Sequence, residues 1–534
     1  MLYVPIYLIF IPILSALIVY LFKNKHINYI TLVAQLAMSV LAVAYFFYFQ
    51  DDFTQTTFVF GGWERRIGIS LSNDPLSITF VFLTLFAWWM VLLYVFDFKT
   101  THHNFLFFLM FLQGVFLGLV QTNDLFNMFV FLELTTIIVT ILIAFKKAGD
   151  SFRAGIYYLL LNTSGVLAFL IGLIIIYYIF GTINVYEIEA AMGTLGDRGA
   201  VRLAYVLLMA GVSVKAAFFP VFTWLPKAHA AAQSAISALL SGLIVKGGLY
   251  LFIRINMMFA PANLSVQMVF FAIGAASALI GAVFALSQNS IKQLLAYSTV
   301  SQIGVILMAL SFDPTGFSNG GVFHLVNHAL AKMALFFGAG IIIKVYKTKK
   351  LDELSGVFKA MPVISTAMII AMLSLSGLPF LSGYASKSII KYQFDAGTFA
   401  YNLFYLSNIM TPIILWRLGR IFLGPKVLSF TLKQPLQTFV MVTLATSLIA
   451  LGFGFSPFFQ GLWSESYTQV TLFSVPSWLD YVTVITVAFL AYYFLVVHEK
   501  RLIRNIRHFS VSFETANVVF IAYIVFLTTI YFIL

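Results

Sequence analysis

The chain has 534 residues, of which 61% are hydrophobic and only 9% are charged, and its mean hydropathy is +0.98. Soluble proteins carry about 25% charged residues, so this chain cannot cover its surface with polar groups in water, and we interpret it as a polytopic membrane protein. The absence of cysteine excludes disulfides, thiolate metal sites and cysteine-ligated iron–sulfur clusters. Basic loops on one face of a bilayer explain the net charge of +12 better than nucleic-acid binding does.

Hydrophobic stretches of about 17–25 residues recur along the whole chain, and each is long enough to cross a bilayer as a helix. They are continuous rather than alternating, which excludes an outer-membrane barrel. The first is not a cleaved signal peptide, because no basic segment precedes it and no small-residue cleavage site follows it. The predicted fold class is an all-α polytopic membrane protein with about 16 transmembrane helices. The predicted spans are 2–22, 28–49, 76–96, 105–122, 125–145, 157–180, 202–223, 235–258, 265–287, 293–311, 321–343, 362–386, 399–416, 437–457, 479–497 and 516–534.

The positions of the basic residues predict the orientation of these spans. The loops after spans 1, 3, 5 and so on hold 21 of the 31 Lys and Arg residues, Lys292 among them. The other loops hold six, Arg254 among them. This asymmetry predicts a multi-pass protein of the cell inner (cytoplasmic) membrane with both termini outside. The connections at 50–75, 181–201 and 458–478 are too short for a soluble domain.

Charged residues inside the spans are the first candidates for function, because a charge at mid-membrane costs about 2.5–3.5 kcal/mol on insertion scales. Glu133 has about eight span residues on either side. It cannot reach the surface and needs either a basic partner or a proton. Mid-span acids usually lie on ion or proton routes, and the alternative is a structural ion pair that joins two helices.

Two intramembrane lysines lie beside prolines that interrupt a span. Lys215 precedes Pro220, which removes a backbone donor and clashes with the preceding turn, and Pro226 follows six residues later. Pro379 and several small residues precede Lys387 in the same way. We expect a broken helix at both places, because broken spans are tolerated where they line a watery cavity or are buried in protein. The alternatives are a simple kink at the first site and a loop-end position for the second lysine.

The central spans carry four more polar groups of the same kind. Lys246 lies well inside its span and is followed by two glycines, which allow a neighbouring helix to approach closely. His324, His328 and Lys332 are spaced i, i+4, i+8 and share one helical face. Histidine titrates near neutral pH, which suits a proton relay. A metal site and a purely structural hydrogen-bonded stripe are the alternatives for this face.

The broken helices occur once in each half of the chain, and an odd number of spans, about five, separates them. Inverted repeats with paired discontinuous helices are typical of transporters. We therefore divide the chain into N-terminal helices 1–3 (1–104), a first repeat (105–258), a second repeat (265–424) and C-terminal helices (425–534).

Several ordered stretches resemble the antiporter-like subunits of respiratory complex I, of membrane-bound hydrogenases and of Mrp multisubunit cation/proton antiporters. The stretches are TNDLFNMFVFLE at 122–133, WLPKAH at 224–229 between Lys215 and Lys246, SIKQLLAYSTVSQIG at 290–304, and LDELSG at 351–356, which precedes GLP at 377–379. The first two look most like the D subunit of Mrp antiporters, whereas the His324, His328 and Lys332 stripe is closer to the largest complex I subunit of this type. The family core has fourteen helices, so the last two predicted spans are additional.

The resemblance implies a proton pathway. Its members are Glu133 and Lys215 as a coupled pair, Lys246 as the first relay, His324, His328 and Lys332 as its continuation, and Lys387 as the terminal proton site. The helix breaks that accompany it are Pro220, Pro226 and Pro379. No catalytic residue, metal ligand or cofactor is expected, because the chain lacks cluster-binding cysteines, a nucleotide-binding loop and an evident quinone site.

The resemblance implies a proton-translocating subunit of a multisubunit Na+/H+ antiporter, which works with other membrane subunits in a lipid bilayer. The proton-pumping arm of an NADH-quinone oxidoreductase or membrane-bound hydrogenase is the first alternative. The second is the proton-coupled membrane subunit of an inorganic carbon uptake complex. A structural scaffold explains the intramembrane charges less well. A stand-alone transporter is disfavoured because members of the resembling family act in assemblies.

Overall fold

The computed structural model describes the chain except residues 24, 25, 27, 51, 97–101, 146–147, 196–198, 263–266, 314–315, 426–434, 455–459, 461, 463–469, 472, 495–505, 508–510 and 534. Helices dominate the described residues. In chain order they are α1 (Val4–Phe22), α2 (Asn28–Phe49), α3 (Pro75–Val95), α4 (His103–Gln121), α5 (Leu125–Ala144), α6 (Gly149–Phe180), α7 (Val185–Leu195), α8 (Gly199–Lys215), α9 (Trp224–Ala231), α10 (Ser234–Leu239), α11 (Val245–Phe259), α12 (Gln267–Ser287), α13 (Ile291–Ser311), α14 (Asn319–Tyr346), α15 (Val357–Ala360), α16 (Pro362–Ser376), α17 (Ser382–Lys391), α18 (Phe399–Gly419), α19 (Pro435–Phe453), α20 (Val475–Tyr492) and α21 (Phe513–Ile533).

The all-α membrane fold is confirmed. Within the described residues, 13 helical segments are long and apolar enough to cross a membrane. The interrupted pairs α8/α9 and α16/α17 and the helix α18 are further helical elements outside that set. The count of 16 spans, the orientation and the division into repeats stay predictions.

Several boundaries differ from the predicted ones. Helix α6 begins at Gly149 rather than near 157 and has 32 residues, so Arg153 lies in a helix and not in a loop. Helix α7 occupies most of the predicted connection 181–201. The connection 50–75 contains an antiparallel pair, β1 (Phe58–Val59) and β2 (Ser70–Leu71). Amphipathic or short segments such as these are invisible to a search for long apolar runs.

Both expected helix interruptions are present. Helix α8 ends at Lys215 and α9 begins at Trp224, so the predicted span 202–223 is helical only in its first part. Pro220 lies within this gap, in a cis peptide bond with Phe219, whereas Pro226 lies in the first turn of α9 and not in the break. Pro379 lies in the second gap, between α16 and α17. Gly377 ends α16 with a φ of +87°, a conformation that glycine adopts without strain.

The helices differ in how deeply they lie within the fold. In the most apolar 18 residues of Ser234–Ala262, 100% of the residues are buried, and in those of Ile291–Ser311 94% are buried. In Val475–Tyr492 only 17% of the residues are buried. Residues 234–259 therefore form the centre together with α13 and α14, and α1, α2, α20 and α21 lie at the periphery. A π-helical turn at Leu240–Ile244 joins α10 to α11, and such turns are frequent at functional sites.

Candidate functional site

Lys215 and Glu133 lie on neighbouring helices but do not form an ion pair within 4.0 Å. The Lys215 ammonium group, 7% exposed, donates to the carbonyl oxygen of Leu132 at 3.1 Å and to the hydroxyl of Thr136. The Glu133 carboxylate accepts a hydrogen bond from the hydroxyl of Thr163 at 3.1 Å. The two charges are close enough to interact electrostatically. The residues of the predicted pair are thus neighbours whose side chains have different partners.

Helix α11 packs directly on the break after α8. A Cβ atom added to Gly248 would lie 2.5 Å from the backbone nitrogen of Ala216. Lys246 is two residues earlier, about 200° around the same helix, and therefore lies on the face of α11 opposite the break. Lys246 is fully buried, and its ammonium group donates to the carbonyl oxygen of Ser241 in the π-helical turn.

Helix α13 carries the polar groups that connect the central lysines. The Ser241 hydroxyl contacts that of Thr299 at 2.7 Å. The Lys332 ammonium group, on α14, donates to the carbonyl oxygen of Leu295 at 3.1 Å and to the hydroxyl of Ser298. Helix α13 therefore binds Lys332 directly, whereas it is linked to Lys246 through Ser241.

The polar contacts continue from α13 to the second interrupted helix. The Nε2 atom of His324 lies 3.1 Å from the Oε1 atom of Gln302, and its Nδ1 atom lies 2.9 Å from the hydroxyl of Ser386 on α17. Lys387, the next residue, is 7% exposed and donates to the carbonyl oxygen of Leu375 at 2.7 Å. Lys387 therefore lies inside the protein, and its ammonium group binds the end of α16.

His328 differs from His324. It is fully buried, and neither ring nitrogen has a hydrogen-bond partner. Its ionisable neighbours are Lys246, Lys332 and His324. His328 thus lies among the central groups with both nitrogens available, whereas both nitrogens of His324 are engaged.

Sequence analysis did not assign a role to four residues that complete this polar axis, which we define as the buried groups from Lys215 to Lys387. Ser298, Thr299 and Gln302 lie in the stretch 290–304, and His229 lies in the motif at 224–229. His229 stacks on Phe336 at 4.5 Å, and its ionisable neighbours are Lys292, Lys332 and Lys246. The sequence feature that could have identified His229 is its place in the WLPKAH motif. Ser298, Thr299 and Gln302 are distinguished from ordinary helix residues only by their tertiary contacts.

Like Arg153, Lys292 and Arg254 were placed in loops by the sequence analysis but lie in helices. Lys292 is in the first turn of α13, 5% exposed, and donates to the carbonyl oxygen of Ala232 at 2.8 Å. Arg254 is in α11 and binds Asp74 through two hydrogen bonds of 2.5 and 2.7 Å. Burial acts to raise the pKa of Asp74, but the charge and hydrogen bonds of Arg254 outweigh it and lower that pKa. The arginine was misplaced because its partner is far away in the sequence.

A second acidic residue caps α5, the helix of Glu133. Asp124 is fully buried, and its Oδ1 atom accepts a hydrogen bond of 2.5 Å from the backbone N–H of Asn127. The hydroxyl of Thr122 lies 3.3 Å from its Oδ2 atom. Burial raises the pKa of Asp124 to about 6, although these hydrogen bonds act in the opposite direction.

Interrupted helices joined by a buried polar axis define an antiporter-like membrane subunit. The family model for the NADH:quinone oxidoreductase/Mrp antiporter transmembrane region matches residues 122–411, and the chain belongs to this family. A Staphylococcus aureus (strain NCTC 8325 / PS 47) protein that carries the name antiporter subunit mnhD2 is 30% identical over 386 residues, which is 71% of this chain and 77% of that protein. The predicted resemblance to the D subunit of Mrp antiporters is thereby confirmed.

Two solved structures share the fold. A chain of the membrane-bound sulfane sulfur reductase, an archaeal respiratory membrane complex, aligns with a TM-score of 0.79 and 24% identity, over 86% of this chain and 96% of that one. A chain of the Mrp complex from Dietzia sp. DQ12-45-1b aligns with a TM-score of 0.75 and 22% identity, over 91% and 99% of the two chains. Both similar chains come from complexes, and the two alignments show that this chain has the same fold.

Proposed function

We propose that this chain is the proton-translocating subunit of a multisubunit cation/proton antiporter and that sodium is the cation. The observation that carries the proposal is the position of Lys246 and Lys332 in the most buried part of the fold. Helix α13 binds Lys332 through Ser298, and it contacts through Thr299 the hydroxyl of Ser241, whose carbonyl oxygen binds Lys246. Charged groups at such depth are costly and are usually functional. The 30% identity to the S. aureus antiporter subunit supports the antiporter type.

The proposed proton route begins at Glu133 and Lys215. When the Lys215 ammonium group moves from the Leu132 carbonyl and Thr136 towards the Glu133 carboxylate, the pair stabilises the charged lysine. When they separate, Lys215 passes its proton towards Lys246. The proton then moves along α13 and α14 through Lys332, His328 and His324 to Lys387. A charge that arrives at one group alters the protonation of the next.

The membrane setting is part of the proposal. Protons enter from outside and drive export of the cation across a cytoplasmic membrane, with both termini on the outer side. The chain works with the other membrane subunits of an Mrp-like assembly.

The test is sodium-dependent proton flux in sealed inverted vesicles that contain the full set of subunits, read with a pH-sensitive dye. We expect Glu133→Gln, Lys215→Met, Lys246→Met and Lys332→Met to lower the flux more than about tenfold, because each removes one protonation site of a serial route. Lys350→Met is the matched control, since the Lys350 side chain is 63% exposed and pairs with Glu353 at the surface. Wild-type flux in the relay variants would refute the route.

The partners decide between an antiporter and a redox-driven pump. The tagged chain is purified in mild detergent, and the proteins that accompany it are identified by mass spectrometry. Small hydrophobic Mrp-type subunits are the expected result. Iron–sulfur or nickel-containing subunits would indicate that the chain is part of a redox-driven pump. A large zinc-binding partner would indicate inorganic carbon uptake. Replacement of sodium by potassium in the flux assay tests the cation.

A further inference from the structure

The last helix of the chain, α21, packs against the interrupted helix and not only against lipid. It lies beyond the residues 122–411 that match the family. One stripe of its side chains is buried, and the members are Ala516, Phe520, Tyr523, Leu527 and Tyr531. Their spacing of three or four residues places them on a single helical face, while Val518, Ile521 and Phe526 on the other side are exposed.

Three hydrogen bonds join this C-terminal segment to both sides of the break. At the start of α8, the Nη1 atom of Arg202 donates to the carbonyl oxygen of Tyr531 at 2.8 Å. In the last turn of α8, the hydroxyls of Ser213 and Tyr523 are 2.9 Å apart. Beyond the break, the ammonium group of Lys227 on α9 donates to the carbonyl oxygen of Val511 at 2.5 Å. Residues 511–531 are therefore bonded to the chain on both sides of the interruption.

The bond between Ser213 and Tyr523 is the one closest to Lys215. The Ser213 hydroxyl donates its only proton to the carbonyl oxygen of Met209 at 2.7 Å, so the Tyr523 hydroxyl must be the donor in their contact. Both side chains are buried. Ser213 and Lys215 are two residues apart and lie about 200° apart around the helix. The face that Tyr523 holds is therefore opposite the face that directs Lys215 to α5.

An apolar groove follows the break on the same side. It has a volume of about 470 Å³, is open at the surface, and lies between the break, α12 and α21, with Phe219, Pro220 and Tyr523 in its lining. Two hydrogen bonds hold the chain on this side, one from the Tyr523 hydroxyl to Ser213 and one of 2.9 Å from the Phe219 N–H to the Ser277 hydroxyl.

We propose that Tyr523 is a positioning residue for Lys215. Its hydrogen bond to Ser213 holds the last turn of α8 in the rotation that points the lysine at Leu132 and Thr136, and α21 thereby sets how readily Lys215 leaves α5. The inference rests on the proposed role of Lys215 in proton transfer. It assigns to a helix outside the family match a direct effect on the proton route.

The absence of native cysteine allows a test that does not depend on transport. A Lys215→Cys reporter is alkylated with a small maleimide in the assembled complex. We expect Tyr523→Phe to change the alkylation rate by about 2- to 10-fold, the effect of one net hydrogen bond on an equilibrium. Ser213→Ala should act in the same direction, and the double variant should add nothing to either single change. Thr529→Val is the control, because this hydroxyl bonds only within the exposed face of the same helix.

Equal alkylation rates in Tyr523→Phe and its parent, or additive effects of the two changes, would overturn the proposal. The second readout is proton flux with native Lys215. Tyr523→Phe should shift the pH of half-maximal flux at unchanged protein abundance. Tyr523→Trp, which replaces the phenol by a bulkier ring, should not have the wild-type pH of half-maximal flux either. An altered alkylation rate with an unchanged pH profile would also overturn the proposal. If the wild-type complex carried no proton flux, the proposed function would fail, whereas the alkylation rates would still decide the positioning role.

Discussion

The ammonium group of Lys215 donates a hydrogen bond to the carbonyl oxygen of Leu132, the residue immediately before Glu133, at 3.1 Å. The lysine is therefore held on the helix of its expected partner without pairing with the carboxylate. To form an ion pair with the carboxylate, the ammonium group would have to leave the Leu132 carbonyl and the Thr136 hydroxyl. The structure thus shows one of the two arrangements that the proposed switch requires.

Removal of the Thr136 hydroxyl should favour the arrangement in which Lys215 pairs with Glu133, because the hydroxyl holds Lys215 in the other arrangement. Thr136→Val leaves the size of the side chain nearly unchanged but deletes a hydrogen-bond acceptor of a charged group, which is worth about 1.5–3 kcal/mol. We expect proton flux to fall about tenfold or more. Thr140→Val is the control, because Thr140 bonds only to the Thr136 carbonyl, one turn further along α5. Equal flux in both variants would show that the lysine does not depend on this hydroxyl.

The two histidines of α14 should differ in their effect on stability. His324→Leu leaves the buried Oε1 atom of Gln302 without its hydrogen-bond partner, and an unsatisfied buried polar group costs about 1–3 kcal/mol. His328→Leu removes a ring that has no hydrogen-bond partner and should not destabilise the fold. Thermal unfolding in detergent should show a lower midpoint for the first variant alone. Both should lower proton flux, and a lower midpoint for His328→Leu would contradict the contrast.

Gly248 should tolerate no side chain. The Cβ atom of Gly248→Ala would lie 2.5 Å from the backbone of Ala216, so α11 and the break would have to separate. Overpacking of this kind typically costs about 1–3 kcal/mol. Gly149→Ala at the start of α6 is the matched control, because its Cβ atom would meet nothing within 4 Å. The unfolding midpoints and the flux of the two variants are compared, and an unperturbed Gly248→Ala protein would show that the contact is loose.

The buried carboxyl of Asp124 should make stability depend on pH. Burial raises its pKa from 3.8 to about 6, so between about pH 4 and 6 the folded protein keeps a proton that the unfolded chain has lost. Stability from this group therefore falls as the pH rises through this range, and the loss is complete above about pH 6. Asp124→Asn can still cap α5 and should flatten the dependence, with a gain on the order of 2–3 kcal/mol above pH 7. Unfolding midpoints between pH 4 and 8 test this, and parallel curves for the two proteins would contradict it.

The amino-acid sequence by itself determined the fold class and the chemical character of the site. A lipid environment selects long apolar runs, so the membrane helices were visible in composition and periodicity. Charged residues within such runs are rare and stand out, which is why Glu133 and the four intramembrane lysines could be selected. The two interruptions were predictable because proline and glycine act on the local backbone.

Only the tertiary structure decided which groups touch. Lys332 and Gln302 reach their partners across helices that are tens of residues apart in the chain, and Arg254 binds Asp74 at a separation of 180 residues. Ser298 and Thr299 look like ordinary helix residues until α14 and the π-helical turn pack against them. The partner of Lys215 and the contact of Tyr523 with α8 likewise depend on rotation and packing of whole helices. Hydropathy constrains which segments are buried in the membrane, whereas the close packing of neighbouring side chains decides how their faces meet.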